Sequence, residues 1–233
     1  MNSYAIVVLS GFPDIFEQFM DSLTLCELNT ICVVVASDRM AEDPWGIGLQ
    51  EDGCGGLVIA PEPFSFPRNA NIGIRAASPH DVFLVNDDVQ FLTPGSVGRL
   101  AEIAHAHPEV GILSPQFEGR VGNRLQERAL YLPCLAYSAQ RLCFTGVYIR
   151  REVLDLVGEL DERFDGYGRD DDDYCRRVRA AGLKLAVTPE VVMRHGFAEA
   201  QHSASFKRLP SYPKSGIDQE MTRRYQEKWG DTK

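Results

Sequence analysis

The order of apolar segments predicts an α/β protein with a mainly parallel central sheet flanked by helices. Two observations carry this. Short runs of β-branched and aromatic residues alternate with stretches whose apolar residues recur at helical spacing. The first strand, helix and second strand all arrive before residue 37, with a crossover long enough for a parallel pair. A third observation points to the function. The apolar run Val82–Val85 reads as a buried central strand, yet it delivers Asn86, Asp87 and Asp88 at its end.

The elements follow in order. Ala5–Ser10 is a buried strand, broken by Gly11-Phe12-Pro13. A helix starts with Pro13 or Asp14 in its first turn and carries Ile15, Phe16, Phe19, Met20 and Leu23 on one stripe. Thr30–Ala36 is the second strand. Arg39–Gly56 is irregular, and Leu57–Ile59 is a short third strand. The latter half of Phe64–Ala77 reads as a helix before the Val82 strand. Thr93-Pro94 looks like an N-cap with proline at the first helical position, followed by Val97, Leu100, Ala101, Ile103 and Ala104. Gly111–Pro115 is a further strand, and Phe117–Gln140 shows no clean period. Leu142–Ile149 is strand-like, with Thr145-Gly146 interrupting it, as glycine does where backbones approach closely. Arg150–Val157 is a helix stopped by Gly158. Asp170 opens a helix ending at Gly182. Leu183–Val187 and Val191–His195 read as two strands, and Ile217–Trp229 as a last helix with Met221, Tyr225 and Trp229 four apart.

At 233 residues the chain suits one domain. Residues 1–110 form its first half, 111–200 its second, and 201–233 a tail and helix. The net charge of −9, from 33 acidic against 24 basic residues, argues against a surface that coats nucleic acid or an anionic membrane. No apolar run reaches the ~18 residues of a membrane span, and the N-terminus lacks a signal-peptide pattern. Cys26, Cys32, Cys54, Cys134, Cys143 and Cys175 show no C-x-x-C spacing. They read as reduced thiols of a cytoplasmic protein.

The candidate chemistry begins with the carboxylates of Asp87 and Asp88. At the C-terminal end of a sheet strand they face the crevice where open α/β sheets bind ligands, and hard oxygen donors suit Mg²⁺ or Mn²⁺. A solvated turn is the other reading of the same residues. In the helix from Asp170, Asp171 shares a face with Tyr174, Cys175 and Val178, so it points where core residues point. A general base that removes a hydroxyl proton is one purpose for such an acid. Asp172 and Asp173 lie four residues before Arg176 and Arg177, and read as exposed pairs worth about 0.2–0.5 kcal/mol each. Acids are also welcome at a helix N-terminus for its dipole alone. His195 follows a strand and can be a metal ligand or a structural side chain; His80, His105, His107 and His202 have no comparable setting.

Three stretches, FSFPRNANIGIRAA, DVFLVNDDVQF and the block from CFTGVYIRREV to VVMRHG, resemble the inverting GT-A glycosyltransferases of family 2. The resemblance covers Ala5 to about Gly196 and a closing Lys228-Trp229-Gly230. It implies a GT-A fold and transfer of a sugar, with inversion, from a nucleotide-sugar donor to an acceptor hydroxyl. UDP is the family's usual nucleotide. Asp88 would be a ligand to Mn²⁺ or Mg²⁺, with His195 completing the metal site. Asn86, where the family has an acid, and Asp87 would lie near the donor ribose. Ser10, Gly11 and the shifted acid Asp38 would hold the nucleobase, and Arg68 and Asn71 would face the diphosphate. Asp171 takes the position of the base, and Asp170 would bond an acceptor hydroxyl. Thr145, Gly146, Tyr167 and Gly168 would shape the acceptor side. The acceptor is a glycan, a protein or another hydroxyl compound. A catalytically inactive nucleotide- or carbohydrate-binding module is the alternative. A nucleotidyltransferase would want a Gly-rich basic loop where SGFPD stands, and a dehydrogenase a G-x-G-x-x-G.

Overall fold

In a computed structural model of the protein, residues 4–27, 30–36, 55–196 and 218–230 are described. The chain opens with β1 (Tyr4–Ser10), α1 (Pro13–Cys26), β2 (Ile31–Ala36), β3 (Gly55–Ile59) and α2 (Phe66–Ala76). Then come β4 (Asp81–Asn86), β5 (Val89–Phe91), α3 (Ser96–Ala106) and β6 (Val110–Glu118). A single 3₁₀ turn, Arg124–Gln126, precedes β7 (Ala136–Ser138) and β8 (Gly146–Ile149). The last elements are α4 (Arg151–Val157), α5 (Asp170–Ala180), β9 (Lys184–His195) and α6 (Gln219–Trp229).

One nine-stranded sheet runs through both halves in the order β3-β2-β1-β4-β8-β6-β9-β5, with β7 also on β9. Strands β1, β2, β3, β4, β6 and β9 run one way. β8, β5 and β7 run against them. The sheet is therefore mainly parallel, as the sequence predicts.

Side chains alternate across β1 and β4 with the period of two that a strand imposes. Val7, Leu9 and Leu84 enter a core with Ile74 of α2, Val153 of α4 and Val178 of α5. Ile6, Val8, Phe83 and Val85 enter a second core on the other face, with Phe16 and Phe19 of α1 and Leu100 of α3. Both faces of the central strands are covered, so their sequences are continuously apolar. Two glycines allow close approach. A Cβ on Gly73 of α2 would lie 2.3 Å from Val7 Cγ1, and one on Gly146 would lie 3.1 Å from Phe117 and 3.2 Å from Phe83.

Several local expectations are corrected. Helix α3 begins at Ser96, and Gly95, at φ 73°, precedes it in place of the Thr93-Pro94 cap. The cap comes from across the fold. Glu27, buried at the end of α1, accepts the Val97 N–H at 2.9 Å. The two strands read around Pro189 are one, β9. A register shift against β6, with Thr188 opposite Pro115 and Val192 opposite Gln116, lets the proline pass without a ladder bond. Strand β8 starts only at Gly146, and Leu142–Thr145 precede it outside the sheet, with Leu142 and Phe144 packed into the first core. His105, unremarkable in sequence, lies 2.7 Å from Asp81 Oδ2. The same aspartate accepts from the Tyr148 hydroxyl at 2.8 Å and from the Arg151 N–H at 2.7 Å, tying α3, β4, β8 and α4 together.

Gly73→Ala is expected to destabilise the protein by about 1–3 kcal/mol, because the added methyl overpacks against Val7. Helix propensity alone would favour alanine by roughly 1 kcal/mol. An increased urea midpoint would show that α2 can shift away from the sheet and would refute this.

Candidate active site

The parallel strands bring their C-terminal ends to one edge. There β1 ends at Ser10 and β4 at Asn86, side by side in the register that pairs Leu9 with Asn86. The Ser10 hydroxyl donates to Asp87 Oδ2 at 2.7 Å, so Ser10 orients the first of the two acids. The Asn86 N–H donates to the Thr145 carbonyl at 3.0 Å. Asp87 and Asp88 are both fully buried, which no solvated turn would be. The two residues form the turn between β4 and β5, but that turn is buried and not solvated.

Asp88 is the exceptional member. Neither of its carboxylate oxygens has a hydrogen-bond partner among the described residues. An unpaired buried carboxylate is costly, so this position calls for a cation. His195, the last residue of β9, is carried there by the β5–β9 pairing that sets it opposite Val89. Its Nε2 lies 3.6 Å from Asp88 Oδ2. Its Nδ1 lies 2.7 Å from the Arg120 carbonyl, which can only accept, so Nδ1 carries a proton and this bond orients the ring with Nε2 toward Asp88. A carboxylate oxygen and an imidazole nitrogen facing each other are donor types that suit a divalent cation such as Mn²⁺. Among the described residues no group of three or more His, Cys, Asp or Glu side chains converges. A cation here would thus fill its shell with substrate oxygens and water, as Mg²⁺ and its congeners do in phosphate sites.

Helix α5 starts at the same edge, since it leads directly into the beginning of β9. Its entry is strained. Gly168 at φ 92° and Arg169 at φ 75° are consecutive left-handed residues just before Asp170. Asp171 shares its face with Tyr174, Cys175 and Val178, all fully buried. Its Oδ1 accepts the Asp172 N–H at 2.8 Å, and its Oδ2 accepts from Arg141 Nη1 at 2.7 Å. Burial raises the Asp171 carboxyl above its ordinary range, and Arg141 opposes the shift. Burial raises Asp170 too, and the neighbouring charge of Asp171 adds to it. The segment Arg141–Thr145 joins the two clusters, with Arg141 at Asp171 and Thr145 at Asn86. Four chain steps span at most about 14 Å, so the backbone positions of Arg141 and Thr145 that meet the two clusters are no further apart than that.

Asp173 is not exposed, contrary to the sequence reading. It is fully buried and accepts from Arg177 Nε at 2.9 Å, Trp229 Nε1 at 2.8 Å and Lys228 Nζ at 2.6 Å. Helix α6 folds back onto α5, and that contact between distant segments lies beyond a helical-wheel argument. Asp172 also pairs elsewhere than with Arg176, lying 3.2 Å from Arg141 and 3.3 Å from Arg169. Arg176 stacks over the Trp229 ring at 4.4 Å.

The remaining expected residues fall in different places. Asn71 of α2 is buried and its amide is spent within the protein. It donates to the Leu160 carbonyl and to Glu162, and accepts the Leu160 N–H, each at 2.9 Å. That makes it a clamp between α2 and the Leu160 turn. Arg68 donates to the carbonyls of Pro61 and Pro63. Gly146 is explained by its packing against two phenylalanines, and Thr145 by its carbonyl bond to Asn86. Tyr167 is exposed beside the α5 entry, and its carbonyl accepts the Asp218 N–H at 3.0 Å. Gly11 follows Ser10 at the strand ends. Asp38, and the 39–54 and 197–216 segments, lie outside the described residues. Sequence reasoning missed Arg141 altogether, since it sits in a stretch without a period.

No protein-family model matches the chain. The sequence is 24% identical over 236 residues to the O-antigen biosynthesis protein RfbC of Myxococcus xanthus, covering 90% of this chain and 18% of that protein. It is 28% identical over 155 residues to the uncharacterized protein y4gI of Sinorhizobium fredii, covering 57% of this chain and 17% of that one. The chain thus spans less than a fifth of these curated relatives. Among solved structures it superposes on GalNAc-T7 with UDP, GalNAc and Mn²⁺ at a TM-score of 0.73 and 10% identity, over 99% of this chain and 48% of that one. The mannosyltransferase PcManGT of Pyrobaculum calidifontis, with GDP-Man and Mn²⁺, gives 0.62 and 17%, over 84% and 57%. S. aureus TarS 1–349 with UDP-GlcNAc gives 0.62 and 12%, over 86% and 60%. The fold is the GT-A fold of glycosyltransferases.

Because the folded pKa of Asp170 is raised, its contribution to stability is complete below the unfolded carboxylate pKa and is lost as pH rises through the folded value. Asp170→Asn is therefore expected to raise the melting temperature at pH 8 and to lose that advantage below about pH 4. Equal melting temperatures for wild type and variant across this range would contradict the assignment.

Proposed function

We propose that the chain is a metal-dependent inverting glycosyltransferase of the family 2 type, acting from a nucleotide-sugar donor, with UDP the first nucleotide to test. The observation that carries this reading is Asp88, a buried carboxylate with no hydrogen-bond partner among the described residues, lying 3.6 Å from the Nε2 of His195. The likeness in fold to structures holding UDP or GDP-Man with Mn²⁺ supports it. A divalent cation between Asp88 and His195 would neutralise charge on the departing nucleoside diphosphate.

The protein's own residues do the rest. Ser10 holds Asp87 toward the donor ribose, with Asn86 beside it. Gly11 lines the nucleobase end. Arg68 reaches the diphosphate by exchanging the Pro61 and Pro63 carbonyls for phosphate oxygens, which a guanidinium binds more strongly. Asn71 steadies α2 behind it. On the acceptor side, Asp171 takes the proton of the attacking hydroxyl onto its carboxylate, and Asp170 accepts from a neighbouring hydroxyl. Tyr167 and Gly168, with the Thr145-Gly146 step, form the wall. Attack from the face opposite the leaving group inverts the anomeric carbon without a covalent intermediate.

The chain is read as one catalytic domain, its first half toward the donor and its second toward the acceptor. Among the described residues no helix is long and apolar enough to cross a membrane. Cys26, Cys32, Cys134, Cys143 and Cys175 are free thiols, in keeping with a cytoplasmic setting.

A thermal-shift series of nucleoside diphosphates is expected to raise the melting temperature only when Mn²⁺ is present, and Asp88→Ala is expected to abolish the shift. A well-folded protein indifferent to every nucleotide would sink the donor site and leave a carbohydrate-binding module. Asp171→Asn is expected to lower sugar transfer by about 10²–10⁴-fold while leaving nucleotide binding intact. Since the base works ionised and burial raises its pKa, turnover should rise with pH through a limb above the ordinary carboxylate range. A rate that is flat from pH 4 to 8, or an active Asp171→Asn, would remove Asp171 from the role.

A further inference from the structure

The base is not held by its own helix alone. Arg141, from the loop after β7, places Nη1 at 2.7 Å from Asp171 Oδ2 and Nε at 3.2 Å from Asp172 Oδ1. Two edges of one planar guanidinium therefore bracket two consecutive carboxylates, a geometry a lysine point charge cannot copy. The bracket is partly withdrawn from water, with the Arg141 side chain 29% exposed and those of Asp171 and Asp172 16% and 17%. Its backbone is fixed as well. The Arg141 carbonyl accepts from Asn123 Nδ2, and Asn123 is buried while capping the 3₁₀ turn through the Leu125 N–H at 2.9 Å. Two residues on, Gln126 clasps Cys143, accepting its N–H at 2.7 Å and donating to its carbonyl at 3.0 Å. The Leu142 N–H meets Cys175 Sγ of α5 at 3.4 Å. Asp172 continues the chain of charge to Arg169, whose guanidinium stacks on Tyr225 of α6 at 5.4 Å.

We propose that Arg141 is the positioning residue of the general base, its guanidinium bracketing Asp171 and Asp172 so that the Asp171 carboxylate is fixed in orientation and kept ionised. This rests on the reading of Asp171 as the base. With Oδ1 held by the Asp172 N–H and Oδ2 by Arg141, the carboxylate cannot rotate, and one lone pair on each oxygen stays open to an acceptor hydroxyl. The groups facing Asp171 are Asp170, Asp172 and Arg169 at the start of α5, Cys175 within it, and Arg141 and Cys143 from the loop. Arg141 is the cation that bonds it directly. Burial pushes the Cys143 thiol up to about 12, so that residue brings no negative charge at neutral pH. Arg141 itself donates to the Cys143 sulfur at 2.9 Å. It does not touch the reacting atoms; its effect passes through Asp171.

The test is a ¹³C-carboxylate NMR titration of Asp171 in wild type, Arg141→Met and Arg141→Lys, with nucleoside-diphosphate release from UDP-sugar plus Mn²⁺ followed across pH, water serving as acceptor. Arg141→Met should raise the Asp171 midpoint by about one to three pH units, the range expected for loss of an adjacent opposite charge. The acid limb of kcat should move with it, and kcat at neutral pH should fall about tenfold to a hundredfold. KM for the donor should stay within about twofold, and Arg141→Lys should recover part of the shift. If Arg141→Met is poorly folded, Asp172→Asn is used instead. It keeps the Arg141–Asp171 contact but removes the neighbouring Asp172 charge that helps raise the Asp171 carboxyl, so the Asp171 midpoint and the acid limb of kcat should move down together, and an unmoved midpoint there would overturn the proposal as well. An unmoved Asp171 midpoint in Arg141→Met would overturn the proposal. So would a fall in kcat without displacement of the acid limb. A wild-type protein that releases no nucleoside diphosphate would count against the glycosyltransferase reading, while the titration would still decide whether Arg141 governs Asp171.

Discussion

Burying a carboxylate is the constraint on which the arrangement of this protein turns. Taking such a group out of water costs several kcal/mol unless donors or a cation replace the water. Its buried or half-buried aspartates show the usual solution. Asp81 gathers the Tyr148 hydroxyl, the Arg151 N–H and His105. Asp173 gathers Arg177, Lys228 and Trp229. Asp171 has Arg141 and a backbone N–H, and Asp87 has Ser10. Each of these binds elements together: Asp81 at the base of the sheet, Asp173 between α5 and α6, Asp87 between neighbouring strand ends. Among the described residues Asp88 finds no such hydrogen-bond donor, and it sits where the parallel strands end, 3.6 Å from His195 Nε2. The same physics that makes the other aspartates structural makes this one a candidate ligand.

The acidic start of α5 shows how one short sequence can be divided among tasks. Four consecutive aspartates would repel one another and all favour the helix N-terminus equally. The fold separates them. Asp173 turns inward to α6 and becomes part of the scaffold. Asp172 balances Arg141 and Arg169. Asp170 and Asp171 are both raised by burial, with the charge of Asp171 adding to the shift of Asp170 and that of Asp172 to the shift of Asp171, against the opposing Arg141. The left-handed pair Gly168-Arg169 stores strain at the entry to this helix, and α6 anchors that entry through Arg169 on Tyr225 and through Asp218 on the Tyr167 carbonyl. The tail helix thus supports the geometry of the cleft.

What the sequence by itself determined is whatever depends on neighbours along the chain. Periodicity set the strands and helices. The continuous apolar runs of β1 and β4 declared a sheet covered on both faces. The position of Asp87 and Asp88 directly after such a run placed them at the edge where the parallel strands end, and helical spacing turned Asp171 toward the core. What only the tertiary structure decided is partnership between distant residues. Glu27 displaced the local Thr93-Pro94 signal as the cap of α3. Asn71 became a clamp on Leu160, Asp173 was buried by a helix more than forty residues away, and Arg141 reached Asp171 from an aperiodic loop. The physical reason is that desolvation and hydrogen bonding depend on which surfaces meet in space, whereas a local pattern specifies only which face each segment offers.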